Sequence, residues 1–136
     1  KMQETPPSEV TIADDDRVLT LTTDARTADH PHLLTAEVHN PGLAIVRTNY
    51  GPNAEMLVYS TAQPTGPNET LMRWSLTVRK EIIDLVGDEV MRGIKDGIND
   101  DYPIWENKIY RPKPVFCKGD ETLVTFRKWV RQFYVD

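Results

Sequence analysis

The chain has 136 residues, 39% apolar and 27% charged, with ten prolines and a net charge of −5. This length buries roughly two-thirds of the unfolded surface on folding, enough for one domain with a hydrophobic core, and the composition is that of a globular chain. The sixteen Lys and Arg are spread along the sequence, which excludes the basic footprint that nucleic acid requires; no run reaches the ~18 apolar residues of a membrane span, and the single cysteine, Cys117, excludes an internal disulfide or a Cys-built zinc site.

Residues 1–8 are polar and proline-bearing and read as a mobile lead-in, followed by a single domain over 9–136. The start of the chain shows no basic-then-apolar signal pattern, so a cytoplasmic location is expected. From Val10 to Val78 the pattern is strand-like. Val18-Leu19-Thr20-Leu21-Thr22 puts Leu19 and Leu21 on one face, and Leu34, Ala36 and Val38 alternate with Thr35 and Glu37. Asn40-Pro41-Gly42-Leu43 fits a type II turn, with glycine at the position needing a positive φ. A strand over 43–48 is followed by the turn cluster Asn49-Tyr50-Gly51-Pro52-Asn53, a strand over 55–61 and the loop Pro64-Thr65-Gly66-Pro67-Asn68. In the last strand Met72, Trp74, Leu76 and Val78 point one way, and Arg73, Ser75, Thr77 and Arg79 the other. Six short strands with hairpin-length links predict an antiparallel meander.

The period changes after Lys80. At about 100° per residue, Ile83, Val86, Val90, Ile94 and Ile98 form one stripe over 80–101, opposite Asp84, Asp88, Glu89, Arg92, Lys95, Asp96 and Asn99. This is a long amphipathic helix of about 33 Å, enough to cross a six-stranded sheet. Gly87, Gly93 and Gly97 weaken it, which points to close packing or a local irregularity, and Pro103 is expected to kink or interrupt it at Tyr102. After the linker Tyr110-Arg111-Pro112-Lys113-Pro114, Asp120 is a candidate N-cap for a second helix carrying Leu123, Phe126, Trp129, Val130 and Phe133. The fold class is therefore α+β: an antiparallel meander gripped by a long C-terminal helix, the Bet v1 or START-like helix-grip plan, with a second terminal helix. Folds of that plan often enclose an apolar cavity. Met56, Val58, Met72, Trp74 and Leu76 from the sheet, with Ile94 and Ile98 from the helix, are the candidate pocket lining.

Asp101 breaks the helix pattern. Measured from it, Ile83 lies near 0°, Val90 and Ile94 about 20° to either side, and Val86 and Ile98 about 60° to either side. Its neighbour Asp100 is about 100° away, where a solvated position is natural. A carboxylate aimed at an apolar interior must be protonated, paired or bound to a cation. The other reading is that the helix frays before Pro103 and Asp101 reaches water. His30 and His32, flanking Pro31 in a loop, and His39 at a hairpin end show no metal-ligand spacing. Trp105, Trp129, Phe126 and Phe133 read as core packing, and Cys117 as a buried or bystander thiol.

Asp101-Tyr102-Pro103-Ile104-Trp105-Glu106-Asn107-Lys108, followed by Phe126-Arg127-Lys128-Trp129-Val130-Arg131-Gln132-Phe133-Tyr134-Val135-Asp136, resembles the C-terminal region of Rieske-type non-haem iron oxygenases of the steroid-acting branch. The oxygenase components of 3-ketosteroid 9α-hydroxylases and the cholesterol 7-desaturases carry a D-x-x-I-W-x-x-K stretch and then an R-x-W-x-x-Q-F-Y run. The strand Arg73-Trp74-Ser75-Leu76-Thr77-Val78-Arg79-Lys80 is also similar, and the resemblance is strong over 71–136. It implies that Asp101, with Asp100 as its only rival, is the carboxylate of a two-His, one-carboxylate Fe(II) site that leaves positions open for O₂. It also implies a [2Fe-2S] Rieske cluster, whose two Cys and two His one cysteine cannot provide, so the cluster and the two iron-binding histidines belong to a missing upstream region. Further implications are a hydrophobic substrate, steroid or sterol-like, that is hydroxylated or desaturated, a reductase or ferredoxin electron donor, and a homotrimer. Alone, the segment is not expected to turn over substrate. The alternative is a stand-alone helix-grip module that binds a hydrophobic ligand without metal or catalysis.

Overall fold

Runs of β-branched and aromatic residues at alternating positions form six strands in the computed structural model, which describes residues 8–26 and 31–135. Of the expected lead-in over residues 1–8, residues 1–7 lie outside the described residues, as do His30 and Asp136, while Ser8 already belongs to the first strand. The strands are β1 (Ser8–Ile12), β2 (Leu19–Arg26), β3 (Pro31–Asn40), β4 (Leu43–Asn49), β5 (Glu55–Gly66) and β6 (Glu69–Val78). Each pairs antiparallel with its neighbour in sequence, giving one sheet in the order β1-β2-β3-β4-β5-β6, the expected meander. Two helices follow, α1 (Lys80–Glu106) and α2 (Glu121–Trp129), the second running into a 3-10 turn over Val130–Phe133. The chain divides into two compact units: Lys1–Val78 with Cys117–Asp136, and Arg79–Phe116.

Register decides which residues share a side, because directly opposed residues in an antiparallel ladder project from the same face. Val10 opposes Leu21, Leu21 opposes Ala36, Ala36 opposes Val46, Val46 opposes Val58, and Val58 opposes Leu76. One apolar row therefore crosses all six strands. The other face is mixed: Thr20, Thr22, Thr35, Glu37, Arg47, Glu55, Arg73, Ser75 and Thr77 share it with Leu33, Leu43, Ile45, Leu57, Tyr59 and Leu71. There Arg47 donates to Glu55 at 2.9 Å, and that hydrogen bond, with the charge of Glu55 behind it, raises the Arg47 pKa further above its ordinary value.

The turns depart from expectation in two places. Asn40-Pro41-Gly42-Leu43 is not a type II turn, because Gly42 has no positive φ. The Asn40 side chain holds the turn instead, its Oδ1 accepting from the Gly42 N–H at 2.8 Å, and the pairing shifts between Val38 and Asn40 so that His39 is the extra residue of a bulge. Gly42 is needed for a different reason: the Ala62 N–H donates to its carbonyl at 2.9 Å, and a Cβ here would lie 2.7 Å from the Ala62 carbonyl oxygen. The expected loop at 64–68 is also shorter. β5 runs on through Pro64 to Gly66, with a shift in pairing between those two residues, an irregularity that accommodates a proline lacking the ladder donor. The cluster Asn49-Tyr50-Gly51-Pro52-Asn53 does turn, using positive φ at Gly51 (126°) and Asn53 (63°).

In the sheet unit, full burial of apolar side chains is confined to one end, and the polar Thr48 is buried apart from it. Leu19, Trp129 and Val130 are the buried apolar residues among those described, with Val10, Val38 and Phe126 packed around them. Trp129 stands edge-on to Phe133 at 5.0 Å between ring centroids. Its indole Nε1–H donates to the Asp16 carbonyl at 2.7 Å, and the Gln132 amide donates to the same oxygen at 3.0 Å. These bonds join the chain end to the β1–β2 turn, where Asp16 has a φ of 58°. Asp120 occupies the N-cap position of α2 as expected, but its carboxylate does not cap the helix; it turns back to accept from the Cys117 N–H at 2.7 Å. Gly119, with a φ of 103°, makes that reversal possible. Cys117 is exposed, not buried.

The glycines of α1 do not mark close packing. Among the described residues, a Cβ on Gly93 or Gly97 would meet nothing within 4 Å, and one on Gly87 would meet only the Ile83 side chain. Gly93→Ala should therefore stabilise α1 by up to about 1 kcal/mol. Gly42→Ala, by contrast, should destabilise the sheet by about 1–3 kcal/mol through overlap with Ala62. Urea unfolding of each variant, followed by circular dichroism, checks the opposite signs.

Candidate functional site

α1 is a 27-residue helix with Glu81 in its first turn, where a negative charge complements the helix dipole, and an exposed Lys80–Asp84 pair at 2.7 Å one turn apart. It does not stop at Tyr102. Pro103 lies inside the helix, which continues for three further residues to Glu106. The proline forfeits the backbone donor toward Asn99, a loss the helix tolerates. Beyond it the Asn107 side chain donates to the Pro103 carbonyl at 2.8 Å, and the Lys108 N–H donates to Trp105. The motif headed by Asp101 is thus helical from Asp101 through Glu106.

Asp101 is exposed, as is Asp100. Of the two readings of its place in the apolar stripe, an interior-facing carboxylate or one that reaches water, the exposure fits the second. The stripe itself is incomplete: Ile94, Ile98 and Trp105 are half-buried, whereas Ile83 is 52% exposed. The side chains of Val86 and Val90 lie outside the described residues. The carboxylate reaches water, as in the second reading, but from continuous helix and not from a frayed end. No ion pair or hydrogen bond engages it among the described residues.

Among the described residues no three His, Cys, Asp or Glu side chains come together as a metal site. His32 belongs to β3 rather than to a loop and lies against the Tyr50 ring at 6.0 Å. His39, at the β3 bulge, has its Nε2 3.6 Å from Glu37 and without a hydrogen-bond partner among the described residues.

Five of the seven candidate lining residues come together. Met56 opposes Val78, Val58 opposes Leu76, Ser60 opposes Trp74 and Ala62 opposes Met72, so Met56, Val58, Met72, Trp74 and Leu76 share one face of β5 and β6. In β6 that face is half-buried at every step from Met72 to Val78, while Leu71, Arg73, Ser75 and Thr77 are exposed. Ile94 and Ile98 belong to α1 and to the other unit. The same register adds Ala44, Val46 and Ser60 to the wall. These were legible from their parity, but only once the β4–β5 pairing is known. The tie from Trp129 and Gln132 to Asp16 could not be read from spacing, because it links a side chain to a backbone carbonyl far away in sequence.

Residues 7–134 match the family described as the 3-ketosteroid 9α-hydroxylase C-terminal domain, and the chain belongs to that family. It is similar to the oxygenase component of 3-ketosteroid-9-alpha-monooxygenase from Rhodococcus rhodochrous, 26% identical over 98 residues, which covers 67% of this chain and 26% of that protein. The same component from Mycobacterium tuberculosis is 26% identical over 89 residues, covering 61% and 23% respectively. A cholesterol 7-desaturase from Ciona intestinalis is 25% identical over 104 residues, covering 76% and 22%. The chain thus spans about a quarter of the length of the relatives it matches.

The face assignment has a direct test. Leu76→Asp places a charge within the apolar wall and should cost about 1–3 kcal/mol, whereas Thr77→Asp, on the opposite face, should stay within about 0.5 kcal/mol. Comparison of the two unfolding midpoints checks it, and equal costs would mean the wall is not an apolar surface.

Proposed function

We propose that this chain is the C-terminal, substrate-pocket segment of the catalytic domain of a Rieske-type non-haem iron monooxygenase, which hydroxylates or desaturates a steroid or sterol-like substrate with O₂. The observation that carries the reading is the family match over 7–134, which includes the Asp101 motif and the C-terminal Trp129-Val130-Arg131-Gln132-Phe133-Tyr134 run. The names of the relatives, 3-ketosteroid monooxygenase oxygenase components and a cholesterol desaturase, supply the substrate class. In this proposal residues 9–136 act as one domain, with α1 laid over the apolar face of the sheet in the helix-grip manner. The wall of Met56, Val58, Met72, Trp74 and Leu76 then faces Ile94 and Ile98 across the substrate.

The residues present fit iron in part. Asp101 offers one hard oxygen donor, exposed and unengaged among the described residues, of the kind a two-His, one-carboxylate site uses. The described residues supply no second and third ligand beside it. In the proposal two histidines come from the part of the protein that corresponds to the unmatched length of its relatives. When bound, the iron supplies O₂-dependent oxidation, with electrons from a [2Fe-2S] Rieske cluster that Cys117 alone cannot hold. This chain's contribution is to present the Asp101 carboxylate from a rigid helix and to shield an apolar substrate from water on the wall.

The proposal extends to a reductase or ferredoxin as electron donor, a homotrimeric assembly and a cytoplasmic location. No helix among the described residues is long and apolar enough to cross a membrane. The test uses the full-length gene product. Asp101→Ala and Asp101→Asn should lose the mononuclear iron while keeping the two irons of the cluster, and lower steroid oxidation by at least about 100-fold, while Asp100→Ala retains all three irons and the activity. Iron content by metal analysis and product formation by mass spectrometry read the result. The mononuclear iron and activity retained in both Asp101 variants would eliminate Asp101 as a ligand; sterol binding without iron would favour a non-catalytic binding module.

A further inference from the structure

The geometry points to Ser60 as a specificity-determining residue of the apolar wall, hydrogen-bonding an oxygen of the bound steroid; this inference rests on the steroid-oxygenase reading above. Ser60 lies on β5 with Ala44 opposite it on β4 and Trp74 opposite it on β6. Directly opposed Cβ atoms in an antiparallel pair stand about 4.5–5.5 Å apart, so the Ser60 hydroxyl lies beside the Trp74 side chain within the wall. Its next same-face neighbours along β5 are Val58 and Ala62. Of its same-face neighbours, Ala44 and Ala62 are short and Trp74 is long.

The other hydroxyls of this face are committed or out of reach. Ser8 and Thr23 bond each other at 2.7 Å at the far, β1–β2 end of the sheet. Thr48 is 5% exposed and closed off. Thr70 is exposed, near the β5–β6 hairpin end. Ser60 is half-buried, amid apolar residues, and no hydrogen bond to its side chain is present among the described residues. An apolar molecule laid on the wall strips water from this hydroxyl. If the molecule brings no oxygen, the group is left unsatisfied, a loss of about 1–3 kcal/mol; if it brings a keto or hydroxyl oxygen, the bond is remade. Sites built around such a group discriminate far more strongly than apolar contact alone. The wall therefore selects among flat hydrophobic molecules for those carrying an oxygen at the edge that meets Ser60.

The experiment measures equilibrium binding of 5α-androstan-3-one, 5α-androstan-17-one and the hydrocarbon 5α-androstane to the full-length protein and to Ser60→Ala and Ser60→Thr. The unsubstituted protein should bind at least one ketone about tenfold more tightly than the hydrocarbon. Ser60→Ala should abolish that preference while leaving hydrocarbon affinity equal or improved, and Ser60→Thr, which keeps the hydroxyl, should restore most of it. The favoured ketone reports which steroid end faces β5. Unchanged ketone preference in Ser60→Ala, or equal weakening for ketone and hydrocarbon, overturns the assignment while leaving the steroid reading intact. Failure of the unsubstituted protein to bind any of the three defeats both.

Discussion

The organisation of the sheet unit depends on an unbroken antiparallel register. Opposed residues share a side, so alternation in any one strand has meaning only if its neighbours keep step. They do: the row from Val10 through Leu21, Ala36, Val46 and Val58 to Leu76 crosses six strands without a change of face. The irregularities at His39 and at Pro64–Gly66 fall close to hairpin ends, where an extra residue bends the strand without inverting the pattern behind it. A slip of one residue in β5 would replace Met56, Val58 and Ser60 on the wall by Leu57, Tyr59 and Thr61. Gly42 lets β4 begin in close approach to the β5 main chain at Ala62.

Burial along this face is uneven. At the β1–β3 end, Leu19 and Val38 meet Trp129 and Val130, and packing is close. At the β5–β6 end, the side chains of Met56, Val58, Met72, Trp74 and Leu76 are half-buried rather than sealed. On the other unit, α1 presents Asp101 from continuous helix, which fixes the direction of the carboxylate better than a frayed terminus would.

Much of this was legible in the sequence. Alternation in Met72, Trp74, Leu76 and Val78 and the shift to a helical period after Lys80 predict the meander and the helix, since side-chain periodicity follows from backbone geometry. The misjudgements share a cause: they concern backbone details that tertiary context decides. Gly42 looked like a conformational requirement and is a proximity requirement. Pro103 looked like a helix break, yet one lost hydrogen bond does not end a helix of this length. Asp101 drew notice because helix phase placed it among isoleucines, but phase says which side a residue is on, not whether anything covers that side. The surroundings of Ser60 were invisible for a related reason, since they are set by the pairing of Ala44, Ser60 and Trp74 across three strands.

The anchoring of the chain end at Asp16 has a consequence for sequence drift. Both Trp129 and Gln132 grip main chain, so the identity of residue 16 contributes nothing to the bonds they make. What constrains that position is its left-handed backbone, which asparagine and glycine adopt as readily as aspartate, and which valine or isoleucine resists. Related chains can therefore exchange residue 16 within a short conformational alphabet while positions 129 and 132 stay chemically restricted, an asymmetry in which one partner of a contact varies freely and the other does not.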